Sequence, residues 1–314
     1  MDRSPSKARR GWHWTDYWRA GREAAVTFGT PAGAEGLDSG ALWRGWFAAF
    51  PAGARLLDLA TGGGRIAGYA LEAAATAGKS FEIVGVDYAE APPLAGCTLL
   101  SGVALERMPL PPEHFDGASS QFGIEYADPR PALAELFRVL KPGGRALMLM
   151  HHADSVISRQ TADQVAAHDR VLGGGAAFRQ ARRAFAARAG GASAAARAAA
   201  DAGFRHAVER AAARLKPDPA YGPARYLVDY LTDLAARADA YEPASALARL
   251  DEVETGSAAW RRRQTCQIRA ALDAAGLEAF VARAVAAGLE PVERGPEHDA
   301  RGALVGWRLA LAKP

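Results

Sequence analysis

The stretch Leu56–Ala67, LLDLATGGGRIA, constrains this chain more than any other. An apolar run that reads as a strand ends at Leu59, a turn of small residues follows, and a helix opens near Gly64. A strand–turn–helix of this kind aims backbone N–H groups and the positive end of a helix at whatever lies beyond the carboxyl edge of a sheet. Ala60, Gly62 and Gly64 stand at alternate positions of the turn, where a larger side chain would block close approach. Gly62-x-Gly64-x-x-Ala67 also satisfies the dinucleotide fingerprint, so the turn alone leaves NAD, FAD and other nucleosides open. A tight strand-to-helix turn that binds nothing is the plain structural alternative.

The surroundings repeat this rhythm. Short apolar strands are expected at 55–59, 82–86, 97–101, 115–121 and 145–151, with helices near 64–77 and 129–140. Strands separated by helices of this length build βαβ units, and therefore a doubly wound, mostly parallel α/β sheet. The α/β pattern stops after His152 and resumes with a helix at 277–287 and strands at 288–295 and 303–312. Between them, residues 154–265 are rich in Ala, Arg and Leu at helical spacing. Breaks at Gly173–Gly175, Gly190–Gly191, Lys216–Pro219 and Glu242–Pro243 predict four or more helices in an ordered insertion. The domain reading is an N-terminal helical segment 1–50, a first part of the α/β core 51–153, the insertion 154–265 and the rest of the core 266–314.

Two acids narrow the ligand. Asp58 precedes the glycines where NAD and FAD turns prefer an apolar residue, and an acid there suits a ligand with a positive ammonium group. Asp87 closes the second strand and is followed by Tyr88, so a carboxylate at that strand tip can accept ribose hydroxyls while the ring lies against a base. An Asp at a strand end also serves commonly as a helix cap. Leu140-Lys141-Pro142-Gly143-Gly144 is expected to end a helix with a glycine turn and launch the fifth strand; with the acid-then-glycine turn and Asp87 it resembles class I S-adenosylmethionine (SAM)-dependent methyltransferases, of the small-molecule, ubiquinone-biosynthesis-like type. The similarity covers about residues 55–150 and, more weakly, 277–312. It implies a seven-stranded Rossmann-like sheet with an antiparallel last strand, SAM as cofactor and S-adenosylhomocysteine (SAH) as product.

Carried onto this chain residue by residue, the resemblance assigns Asp58, Ala60, Gly62, Gly64, Asp87 and Tyr88 to SAM. Ala60 stands where the family usually has glycine, and Val103 replaces a usual acid in the loop SGVALERMPLPPEHFD, leaving Ala104 and Leu105 for backbone and apolar contacts. In that loop Glu106 is either a substitute for the missing acid or a solvated residue. The family covers the sulfonium side of SAM with the tip of the fourth strand, which makes Gln121, Phe122 and Tyr126 candidates for the methyl-transfer chamber. Trp12, Trp14, Tyr17 and Trp18 form either a lid, with Trp18 on the cofactor through attraction between ring faces and a cation, or an aromatic dock for the N-terminal helix.

Methyl transfer from a sulfonium needs alignment and exclusion of water, and a base only when the acceptor must lose a proton. His151 and His152 at the end of the fifth strand, with Tyr126, are the catalytic candidates, and Glu125 is a further polar one; ordinary packing or solvation is the competing account of each. The insertion is expected to roof the acceptor pocket or to serve a homodimer contact. Its runs Arg182-Arg183 and Arg261-Arg262-Arg263 are interspersed with acids, which favours a solvated face over an anion site.

A net charge of +3 does not argue for nucleic acid, and no apolar run reaches membrane-spanning length. Met1 to Arg10 lacks the apolar centre of a signal peptide, so a cytoplasmic protein is expected. Cys97 and Cys266 are the two cysteines and lack metal-ligand spacing, so neither a disulfide framework nor a cysteine-based zinc site is expected, and no other metal. The expected partner is a small-molecule acceptor, with methylation of O, N, S or C left open. The alternatives are a methyltransferase of RNA or protein, an NAD-dependent oxidoreductase, and a SAM-binding protein without turnover.

Overall fold

The computed structural model describes residues 12–19, 39–90 and 92–314. The expected N-terminal segment 1–50 thus lies partly outside the described residues, as does the side chain of Trp12. Two compact units are present, residues 1–159 with 266–314, and residues 160–265.

The first unit holds α1 (Trp12–Arg19), α2 (Gly40–Ala48), β1 (Arg55–Leu59), α3 (Arg65–Thr76), β2 (Glu82–Asp87), β3 (Thr98–Ser101) and β4 (Phe115–Gln121). These are followed by α4 (Pro129–Val139) and β5 (Leu140–Met150), and later by the last helix and two strands given below. Asp128 caps α4 by accepting the Arg130 N–H, with Pro129 at the first helical position where its missing N–H costs nothing. The chain closes with the helix Ala274–Ala286, β6 (Glu290–His298) and β7 (Leu304–Ala312).

The seven strands form one sheet in the order β3-β2-β1-β4-β5-β7-β6. β1 to β5 are mutually parallel, whereas β7 runs antiparallel to both β5 and β6. The order reverses beside β1, between β2 and β4, so the β1 turn opens at the switch point where ligands seat in open α/β sheets. Apolar cores lie on both faces. One gathers Leu57, Leu133, Leu136, Met148 and Phe280, the other Trp43, Phe47, Leu56 and Ile66. Burial on both faces explains the near-continuous apolar strands.

One local expectation changes. LKPGG is not a glycine turn ending a helix: α4 stops at Val139, and Leu140 already pairs with Phe115. The register then shifts before Gly117 meets Arg145, while Gly143, at φ 76°, donates its N–H to the Lys313 carbonyl. Lys141–Gly144 is therefore an irregular opening of β5.

In the second unit the expected breaks separate helices. α5 (Val156–Leu172) enters it, α6 (Ala176–Ala189), α7 (Ala194–Ala212) and α8 (Gly222–Ala236) follow, and α9 (Pro243–Ala270) leaves it. Phe178, Phe185, Phe204, Leu227 and Leu231 are buried there, which accounts for an ordered fold in so alanine-rich a stretch. Arg182 pairs with Asp251 and Glu254, Arg188 with Asp201 and Asp239, and Arg261 with Asp169.

Candidate functional site

The turn after β1 is held by its own acids. Asp58 is 2% exposed and accepts the hydroxyls of Thr61 at 2.6 Å and of Ser119 at 2.9 Å. Burial pushes its carboxyl up to about 6 against the pull of those hydroxyls. Asp87 accepts the N–H of Gly62 at 2.8 Å and of Ala89 at 2.7 Å, which pins the β2 tip to the β1 turn. Burial raises this carboxyl as well, and the same two N–H groups oppose the rise.

A cavity of about 440 Å³ opens beside this turn. Of the residues expected to bind cofactor, Trp18, Ala60, Asp87 and Tyr88 line it, as do Ala104, Leu105 and Phe122; Tyr126 joins them from the catalytic set. Trp14 and Cys266 add to the wall. Val103 and Glu106 line it too, and Glu106 accepts the Asp128 N–H, so it braces the loop instead of standing free in solvent.

Other expected residues stand elsewhere. Asp58 lies behind the turn, Gln121 accepts the indole N–H of Trp43 at 2.6 Å, and Gly64 faces the side chain of Leu94. His152 stacks on Trp307 at 4.2 Å between centroids and accepts the Asp154 N–H on Nδ1. His151 is buried against Phe122, ring to ring at 4.3 Å and 9°, and burial lowers it to about 3, so its imidazole is neutral at physiological pH. A β-carbon built on Gly62 would lie 2.5 Å from the indole of Trp18, so that ring rests on the space the glycine leaves open. A ligand reaching the Gly62 backbone must displace it.

α1 brings more than Trp18. Trp14 stacks over Trp18 and meets Tyr126 edge-on at 5.9 Å, while Thr15 accepts the Glu90 N–H just beyond the β2 tip. The short helix therefore meets the β1 turn, Tyr126 and the backbone beyond the β2 tip, and lends Trp14 and Trp18 to the cavity lining.

Glu125 is the residue whose setting the sequence least reveals. It lies in a single helical turn, Ile124–Tyr126, after β4, is 9% exposed, and accepts the His151 N–H at 2.8 Å. Burial pushes its carboxyl up to about 7. Tyr126 is raised well above its usual range, first by burial and then by the charge of Glu125. The one available signal was its place between Ile124 and an aromatic residue just after a buried strand.

Two residues here hold left-handed backbones without being glycine, Ala60 at φ 54° and Phe122 at φ 53°. The Ala60 methyl also sits 2.5 Å from where a Gly123 β-carbon would be. Gly123→Ala should therefore cost about 1–3 kcal/mol by overpacking. Adding Ala60→Gly should restore most of it, as urea melts of the single and double variants would show.

Residues 57–148 match the family model described as a methyltransferase domain. The match runs from β1 through most of β5 and marks this segment as similar to a methyltransferase domain. The chain is 39% identical over 109 residues to the ubiquinone/menaquinone biosynthesis C-methyltransferase of Geobacter sulfurreducens, covering 31% of this chain and 41% of that one. It is 39% identical over 108 residues to the demethylmenaquinone methyltransferase of Thermus thermophilus, covering 30% and 46%. A SAM-dependent methyltransferase structure from Mesorhizobium loti aligns at 26% identity and TM-score 0.31, covering 38% of this chain and 56% of that one. The chain thus spans less than half the length of the two relatives it matches by sequence. Among the described residues, no helix is long and apolar enough to cross a membrane, and no group of three His, Cys, Asp or Glu is placed to hold a metal.

Proposed function

We propose that this chain transfers the methyl group of SAM to a small planar molecule held in the 440 Å³ cavity. The observation carrying the reading is that the β2-tip acid Asp87, the β1 turn at Ala60, and the Phe122–Tyr126 loop meet at one cavity within a segment similar to a methyltransferase domain. Its volume falls within the range of about 300–1,000 Å³ usual for small-molecule sites.

Asp87 and Tyr88 would hold the ribose and base of SAM, with Ala104 and Leu105 along the nucleoside. Bound SAM supplies a methyl group on a sulfonium, whose leaving group needs no further activation. The protein's part is then to align the acceptor and exclude water. Phe122, Tyr126 and Trp14 offer ring faces and edges suited to a flat acceptor, and the two relatives named above are quinone-pathway methyltransferases by name. Methylation of RNA is the weaker reading: Arg182 and Arg261, drawn from the two arginine runs, are already paired with acids. An NAD-dependent oxidoreductase is disfavoured by the match over 57–148.

Melting curves test the proposal. SAH at about 100 times its dissociation constant should add about 2.7 kcal/mol and raise the melting temperature by several degrees. NADH at the same concentration should leave it unchanged. A shift with NADH and none with SAH would reverse the assignment.

A further inference from the structure

The glycine turn after β1 is covered from within the chain. The six-membered ring of the Trp18 indole lies against two glycines at once: a β-carbon on Gly62 would stand 2.5 Å from it, and one on Gly63 3.3 Å. Gly62 holds a left-handed backbone, φ 53°, and its N–H is already given to Asp87. Glycines at such a turn leave a seat for a ligand, because no side chain stands between the ligand and the backbone. Here a side chain of the same molecule takes that seat, and it does so in the cavity that Ala60, Asp87 and Tyr88 also line.

The rest of α1 holds the ring in place. Trp14, one helical turn earlier, stacks on it at 6.4 Å and 19°, and meets Tyr126 edge-on. Tyr17 packs edge-on against it at 4.7 Å. Thr15 accepts the Glu90 N–H at 3.1 Å and so ties the helix to the backbone beyond the β2 tip. The hold is shallow: Trp14, Thr15, Tyr17 and Trp18 are half-buried, whereas Trp43 on α2 is fully buried. With eight residues, α1 is also too short to be a stable helix away from the body it packs on. A short, half-buried segment of this kind is released at low cost.

We propose that Trp18 is a built-in competitor of the cofactor: in the ligand-free chain its indole takes the seat over Gly62 and Gly63, and SAM or SAH binds once α1 gives the ring up. The inference rests on the methyl-transfer reading, because it takes that seat as part of the cofactor site. A lid would lie on the bound cofactor and strengthen its binding, whereas a competitor weakens it. The apparent dissociation constant is then the intrinsic one divided by the fraction of chains whose seat is open, so an open fraction of about a tenth weakens binding about tenfold.

The test is titration calorimetry with SAH on the full chain and two variants. Trp18→Ala should bind SAH about tenfold more tightly than the wild type. Thr15→Val removes the hydroxyl that accepts the Glu90 N–H and leaves every ring in place, so it should tighten binding by a smaller factor. Equal binding by Trp18→Ala would overturn the competitor, and so would weaker binding, which is the mark of a lid. Should Trp18→Ala not fold, the sign of the change in Thr15→Val decides alone. Binding of SAH to neither the wild type nor either variant is a separate result, and it would sink the methyl-transfer reading itself.

Discussion

Asp87→Ala is expected to weaken SAH binding by about 1–3 kcal/mol, roughly 5- to 150-fold in dissociation constant. Two losses combine. The substitution removes the β2-tip carboxylate that lines the cavity, and it frees the Gly62 and Ala89 N–H groups that the carboxylate now holds. Asp87→Asn separates them, because it retains an oxygen for one N–H but neither the charge nor the second acceptor. An intermediate loss of affinity is expected for Asn. Titration calorimetry on the three chains, with unfolding curves taken without ligand, distinguishes weakened binding from a loosened turn. An unchanged affinity in Asp87→Ala would remove the ribose contact from the account.

Asp58→Asn should stabilise the fold at neutral pH relative to its effect in acid, by up to about 3 kcal/mol. The Asp58 carboxyl is raised in the folded state from 3.8 to about 6, so the native chain holds a proton that the unfolded chain has already lost. Its contribution is therefore complete below about pH 4 and declines as pH rises through 6. An Asn at this position does not titrate. The stability difference between variant and wild type should then grow in favour of the variant from pH 4 to pH 7, while shared groups such as Glu125 cancel. Any constant offset from altered bonds to Thr61 and Ser119 cancels in the same comparison. Urea denaturation at a series of pH values measures it, and a flat or falling difference would mean that Asp58 is not held in the raised state. Asp58 therefore destabilises the neutral protein, a cost understandable at the turn that borders the cavity.

The sheet was legible because its signals are local. Strand-length apolar runs, the glycine turn and the capping Asp128 lie within a few residues of the structure they specify, and the strands fall within a few residues of their expected bounds except at β5. There the Pro-Gly-Gly looked like a helix stop, whereas pairing of Leu140 with Phe115 draws the segment into the sheet. The convergence of Asp87, Tyr88, Ala104 and Phe122 was legible for a related reason: parallel strands place their carboxyl ends along one edge. What escaped depends on distant partners. Gln121 is claimed by Trp43, 78 residues away, and Gly62 is covered by Trp18 from a separate helix. Asp58 reads as a cofactor ligand and Glu125 as a polar candidate near the acceptor, yet burial makes the first a brace behind the turn and pushes the carboxyl of the second up to about 7. Periodicity carries no information about such contacts.

A crystal structure of the full chain with SAH tests the central claim most directly. The account predicts the ribose hydroxyls within hydrogen-bond distance of the Asp87 carboxylate, the sulfur facing the wall of Phe122 and Tyr126, and the Trp18 indole moved from Gly62 wherever the ligand meets that backbone. Nucleoside density outside this cavity, or Asp87 still bonded solely to Gly62 and Ala89 with the ribose elsewhere, would contradict it.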